Sequence, residues 1–365
     1  MTRARANADG ITLSGRARDI ADFGGSASSG GITGKNKLQN GQFAVAQRGT
    51  TFASGDNNDA AYTLDRWKIF SDGNDVIDVS QEATTVPTNR LFAASLDVET
   101  ANKKFGIAQI VEHKNCVGLI GGKVTLSFQA KVSETSKLDN VKAAIISWSS
   151  TADAPTADMI SAWGSEGTNP TLASNFTYEN TPANLSVTSS YAKYSVTANV
   201  DTSGAKNIIV FIWSDVTDTT AGHFLYVTDV QLEAGDTATD YEHKKYSDDL
   251  KECLRYFYKL RKTNAYGEFV TIRTYSTDDG TGIIYFPQPM RVQPTLTIDK
   301  TVNATNFAYD LNSISIAASD VNVTQVGIAA ASSSGSAFSA GGAAVVQSNG
   351  GSGAIDVSFD FASEL

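Results

Sequence analysis

Val124-Thr125-Leu126-Ser127-Phe128-Gln129-Ala130-Lys131-Val132 decides the class of this chain. Apolar and polar residues alternate almost without a break. Val124, Leu126, Phe128, Ala130 and Val132 therefore share one face of a strand, where side chains repeat every two residues. A helix would scatter the same residues around its circumference. Similar runs stand on either side, at 67–70, 105–111, 143–148, 191–200, 208–213 and 224–232, with 43–46 opening the series. Turn-forming residues separate them. Eight or nine strands with no helical period between them predict a two-sheet jelly-roll sandwich over residues 38–243.

Toward the C-terminus the pattern breaks once. Ser247-Asp248-Asp249-Leu250 reads as a helix start, with a capping residue and acids in the first turn, and Lys259, Arg261 and Lys262 read as its end. Leu250, Leu254, Phe257 and Arg261 would share one face, with Cys253 and Leu260 beside it. A linking helix over 244–262 is predicted, apolar enough to pack on two sides, between domains or around a threefold axis. Alternation returns at 269–273, 282–286, 295–298, 313–317, 323–329 and 355–361. These runs predict a smaller C-terminal β domain over 263–365, with 332–353 as a long small-residue loop. The chain is thus expected to be mainly β. No repeat of 20–50 residues is visible, which argues against solenoids and propellers.

Residues 1–37 differ from the body. They carry six basic and three acidic residues, so the remainder holds −13 of a chain total of −10. Such a cationic arm is expected to dock on a neighbour through Arg3, Arg5, Arg16, Arg18, Ile20 and Phe23, the last two on a short helix at 15–23; an ordinary tail is the plainer reading. The acidic body argues against nucleic acid as a partner. No apolar run reaches the roughly 20 residues that span a bilayer, and no membrane insertion is expected. The opening decapeptide lacks the apolar segment of a secretory signal, so maturation in the cytoplasm is expected. Cys116 and Cys253, the two cysteines, are expected as buried free thiols.

Motifs for chemistry are sparse. Gly30-Gly31-Ile32-Thr33-Gly34-Lys35-Asn36 falls short of a phosphate loop: Ser29 stands where the first glycine belongs, and Asn36 replaces the magnesium-binding hydroxyl. His113, His223 and His243 lie far from one another in the sequence, so no zinc site is expected. No nucleophile has an evident base. The many Asp and Glu residues leave glycoside cleavage by a carboxylate pair open, yet a non-enzymatic role is expected. Sugar contact needs aromatic faces beside polar groups. Trp67, Trp148 and Trp213 sit in strand patterns and are expected in the core. Trp163 lies in the polar run Ala162-Trp163-Gly164-Ser165-Glu166-Gly167-Thr168-Asn169-Pro170. With Phe176 and Tyr178 it is a candidate glycan-contact surface, and equally a loop plug or subunit contact.

Four strings together resemble phage tail-fibre and virion-surface proteins that carry a carbohydrate-binding-module-like sandwich. Asn36-Lys37-Leu38-Gln39-Asn40-Gly41-Gln42-Phe43-Ala44-Val45-Ala46-Gln47-Arg48-Gly49, followed by Tyr62-Thr63-Leu64-Asp65-Arg66-Trp67, is similar to the entry of that sandwich. Val227-Thr228-Asp229-Val230-Gln231-Leu232-Glu233-Ala234-Gly235, with Ala238-Thr239-Asp240-Tyr241-Glu242, is similar to its exit. Glu252-Cys253-Leu254-Arg255-Tyr256-Phe257-Tyr258 resembles the element that follows. Tyr285-Phe286-Pro287-Gln288-Pro289-Met290-Arg291-Val292-Gln293-Pro294-Thr295 and the closing Ala362-Ser363-Glu364-Leu365 resemble the C-terminal module. Ala17-Arg18-Asp19-Ile20-Ala21-Asp22-Phe23 also occurs near attachment regions of such proteins. The resemblance implies a virion location and homotrimers, with other virion proteins as partners, and does not separate tail fibre from decoration. The order of arm, sandwich, helix and loop-rich tip points to a tail fibre or adsorption subunit meeting host-surface glycan. The alternative is a capsid- or tail-decorating protein without a receptor role. The resemblance further implies a structural calcium ion, with Asn40 and Asp229 at the matching positions; Asp229 as a turn cap is the plainer reading. No other cofactor is expected.

Overall fold

The computed structural model describes residues 34–264, 267–300, 307–309, 312–332, 338–348 and 356–365. Residues 1–33 lie outside them, and with them Arg3, Arg5, Arg16, Arg18, Ile20, Phe23 and the expected helix at 15–23. The chain is mainly β, as the alternation predicts.

The first body carries β1 (Thr51–Phe52), β2 (Lys68–Ser71), β3 (Ile77–Glu82), β4 (Ala93–Val98), β5 (Phe105–Val111), β6 (Lys123–Val132), β7 (Val141–Trp148), β8 (Ile160–Ala162), β9 (Thr171–Leu172), β10 (Phe176–Tyr178), β11 (Ala192–Asn199), β12 (Asn207–Ser214) and β13 (Phe224–Ala234). One sheet runs β1-β3-β4-β13-β6-β11, the other β10-β7-β12-β5-β2. The five alternating residues of β6 all face the core between the sheets, packed with Phe105, Val141, Ile145, Val210, Leu225 and Leu232.

The second sheet is buried on both faces. Its strands read as near-continuous apolar runs for that reason, and β7 and β12 have no exposed residue. Phe70, Ile110, Ile146, Trp148, Ile209, Phe211 and Trp213 point away from the sandwich core, and an excursion carrying β8, β9 and β10 covers them. Gly106 permits the tightest contact in this layer. A Cβ there would lie 2.4 Å from the Ile212 carbonyl and 2.5 Å from Trp213 Cβ.

The expected 43–46 strand does not form. Phe43 has φ 57°, outside the β region, because the Asn40 side chain turns the chain there: its Oδ1 accepts from Val45 N and its Nδ2 donates to Val45 O. Strands β3 and β4 went unanticipated, since polar and acidic residues interrupt their apolar sets.

Two helices occur among the described residues, α1 (His113–Cys116) and α2 (Tyr246–Leu254). The predicted 244–262 helix is corrected: it stops at Leu254, and β14 (Phe257–Lys262) follows. Aromatic Tyr256, Phe257 and Tyr258 fit a pleated surface, and all six residues of β14 find antiparallel partners in Val357–Ala362, which override the helical spacing. β14 therefore belongs to the second body. That body continues with β15 (Glu268–Thr274), β16 (Asp279–Tyr285), β17 (Thr295–Lys300), β18 (Phe307–Tyr309), β19 (Asn312–Ser319), β20 (Gln325–Ser332), β21 (Ala343–Ser348) and β22 (Val357–Ala362). The sheet β14-β22-β17 packs against a closed barrel, β15-β16-β20-β19-β18-β21. Ile272, Ile284, Val326, Ile328, Val346, Phe359 and Phe361 form their shared core. The expected loop at 332–353 is corrected as well. Its Ala343–Ser348 portion is β21, which pairs with β15 and β18. Small residues hid a strand that pairing holds.

Candidate functional site

The two bodies meet at a polar joint. Asn40 donates its backbone N–H to Asp249 Oδ1 on α2 (2.8 Å) and its side-chain amide to Asp65 O (3.0 Å), and its carbonyl accepts from Trp67 Nε1 (3.0 Å). Gln47 bonds both oxygens of Asp65 and reaches the Phe257 carbonyl at 3.0 Å. Arg66, 1% exposed, pairs with Glu364, donates to Ile110 O (2.7 Å) and lies 3.6 Å over the Tyr256 ring. Arg48 takes the other Glu364 oxygen at 2.9 Å and sits 3.7 Å over Phe257. Ser363 donates its N–H to Tyr256 O (2.8 Å), and Arg291 donates to the carbonyls of Ser363 and Glu364 at 2.7 and 2.6 Å. Burial pushes the Cys253 thiol beside this joint well above its ordinary range.

Beside the joint opens a polar cleft of about 300 Å³, lined among others by Lys37, Glu112, Lys114, Lys244, Glu252 and Arg255. Glu112 follows directly on β5 and is 3% exposed. It accepts Arg255 Nε (3.0 Å) and Nη2 (2.8 Å), Tyr256 Oη (3.0 Å) and Lys114 Nζ (3.0 Å). Burial alone would raise this carboxyl; the Arg255, Lys114 and Tyr256 donors reverse that and hold it at about 2. Lys244 is committed to Glu252 (2.6 Å) and Leu38 O (2.9 Å). The site presents fixed cations and amides, an arrangement suited to holding a ligand. Glu112, Lys244 and Arg255 escaped the sequence reading. A polar residue just past a buried strand is the one signal Glu112 leaves, and Arg255 was masked by the helical spacing.

The aromatic candidates are placed differently from a surface platform. Trp163 is 9% exposed and packs near Phe211 (6.1 Å between rings); Phe176 packs on Trp148 at 4.7 Å. Tyr178 is half-buried and donates to Pro170 O at 2.9 Å. All three pack in the excursion over the second sheet. Buried lysines clamp it from below: Lys104 donates to Ser165 O (2.8 Å), Lys142 to Asn169 Oδ1 (3.0 Å), and both pair with Asp215, which is fully buried. Trp67, Trp148 and Trp213 are core residues as expected, and both cysteines are buried free thiols.

Asn40 and Asp229 do not fit a calcium ion. Asp229, at the bulge in β13, accepts Arg90 Nε at 2.8 and 2.7 Å on its two oxygens, with Gln42 Nε2 (2.8 Å) and Gln129 Nε2 (2.6 Å) completing the shell. A guanidinium stands where a metal would have to be, and the Asn40 Oδ1 is engaged by Val45. Among the described residues no group of three or more His, Cys, Asp or Glu is placed to hold a metal, and no helix is long and apolar enough to cross a membrane. Residues 36–41 nonetheless run beside the end of β13: Lys37 N donates to Leu232 O, and Val230 N to Gly41 O. A Cβ at Gly41 would lie 2.2 Å from Val230 O. The sandwich therefore grips the chain from Asn36, within the stretch assigned to the arm.

A β-sandwich joined to a β-barrel body is the class that fold and site define. No family model matches the chain, and no curated protein matches it significantly. Solved structures similar to parts of it include the enzymatically active domain of bacteriophage CBA120 tailspike protein 4, at 15% identity and TM-score 0.32 over 55% of this chain. The chain spans 22% of that protein's length. A family 16 carbohydrate-binding module matches at 13% identity and TM-score 0.26, over 43% of this chain and 84% of its own. A CBM4 structure matches at 13% and 0.29, over 54% and 99%.

Proposed function

We propose that this chain is a structural subunit of a phage virion, a tail-fibre or adsorption protein that docks through its N-terminal arm and meets host-surface glycan with its β bodies. The carrying observation is that the four resembling strings, scattered over residues 36–365, converge on one joint. Asn40 of the entry string bonds Asp249 just ahead of the helix string, Arg66 meets Glu364, Arg291 holds Ser363, and Gly41 lies on Val230 of the exit strand. Strings that matched by chance have no reason to be neighbours in space. Their contacts support one shared architecture of sandwich, helix and C-terminal module. In this reading the chain acts by binding, as a homotrimer among other virion proteins, and needs neither metal nor nucleotide.

Purified full-length chain added to host cells ahead of the phage is expected to slow adsorption, and mass spectrometry of purified particles is expected to find it at a few to a few dozen copies. Hundreds of copies without competition would make it a decorating protein. Its absence from particles would end the virion reading.

A further inference from the structure

We propose that the cleft between the sandwich, α2 and Tyr256 is a binding site for an oxyanion-bearing sugar, a hexuronate or a sugar phosphate. The charged groups lining it are four cations, Lys37, Lys114, Lys244 and Arg255, and two carboxylates, Glu112 and Glu252. A local surplus of positive charge on a chain of net −10 calls for a counter-charge from outside. Both carboxylates are already engaged, Glu112 by Arg255, Lys114 and Tyr256, and Glu252 by Lys244. Arg255 spends Nε and Nη2 on Glu112, and among the described residues Nη1 has no partner; that anchorage holds the guanidinium in place, the preorganisation that carboxylate and phosphate recognition uses. Among the described residues the Lys37 ammonium is bonded only to the Gly34 carbonyl, at 2.8 Å, and Lys114 is 61% exposed. Asn115 lines the same space and supplies an amide for hydroxyl groups, while Asn36 and Gln39 there are engaged by the sandwich itself. About 300 Å³ accommodates one or two sugar rings. The oxyanion part of this assignment rests on the cleft alone; the sugar part rests on the adsorption reading above.

Calorimetry or NMR titration of the full chain should compare a galacturonate trimer, galactose 6-phosphate, a neutral galactose trimer and inorganic phosphate. The uronate or the sugar phosphate is expected to bind, the neutral trimer not, with binding weakened by salt. The double variant Lys37→Gln/Lys114→Gln leaves Glu112 held by Arg255 and Tyr256, and is expected to melt within a few degrees of the parent and lose about tenfold or more in affinity. Equal binding of neutral and acidic trimers, or undiminished binding by the double variant, overturns the oxyanion site. Inorganic phosphate matching both sugars overturns the sugar assignment. Uronate binding by a chain that does not compete for adsorption leaves the site standing and removes the adsorption reading; competition without any anion binding does the reverse.

Discussion

Arg66 is a long cation that water would ordinarily keep, yet it is 1% exposed. Glu364, the Ile110 carbonyl and the Tyr256 ring replace its hydration. Breaking such a buried pair from one side strands the remaining charge, so Arg66→Met is expected to cost about 3–5 kcal/mol in urea unfolding. The double change Arg66→Met/Glu364→Leu should recover part of that. A single variant as stable as the parent would show that the pair does not hold the joint. Asp97 behaves oppositely to Glu112. Burial, then repulsion from Glu99 and Asp78, lifts it to about 6, and among the described residues its Oδ1 has no hydrogen-bond partner. The folded chain then holds this proton more tightly than the unfolded chain, so its contribution to stability falls as pH rises from about 4 to 6. Asp97→Asn is expected to melt higher than the parent at pH 7.5, with the gap closing by pH 4. A gap independent of pH would contradict this.

At the scale of elements, the second sheet explains why an aromatic in a polar loop need not be a contact residue. The strands β5, β7 and β12 carry apolar side chains on both faces, and one face would meet water without the excursion over it. Trp163 fills that cover, and Trp163→Ala is expected to destabilise by about 3–5 kcal/mol in chemical unfolding. Unchanged stability would mean that the cover is dispensable. The helix that became α2 and β14 teaches the complementary point. Leu250, Leu254 and Phe257 have helical spacing, but a strand partner in β22 decides residues 257–262, and no local pattern announces a partner about 100 residues away.

For the whole molecule, the C-terminal Ser363-Glu364-Leu365 segment acts as a latch. It leaves β22, takes Arg48, Arg66 and Arg291, and sends the Leu365 carbonyl to the Tyr62 hydroxyl. Removing residues 363–365 is expected to split one unfolding transition into two and to enlarge the radius of gyration in X-ray scattering. A single transition and an unchanged radius would place the joint's strength elsewhere, in Asn40–Asp249 and Gln47–Phe257.

Period-two alternation by itself determined that this chain is built of sheets. It located most sandwich strands and put Trp67, Trp148 and Trp213 in the core, because the alternation of side chains is a property of each strand alone. Only the tertiary structure decided where the helix ends, that Ala343–Ser348 is a strand, that Asp229 holds an arginine, and that Glu112, Arg255 and Lys37 share a cleft. Those outcomes depend on partners tens to hundreds of residues distant. Burial and ion pairing act between neighbours in space, and the order of residues along the chain does not specify who those neighbours are.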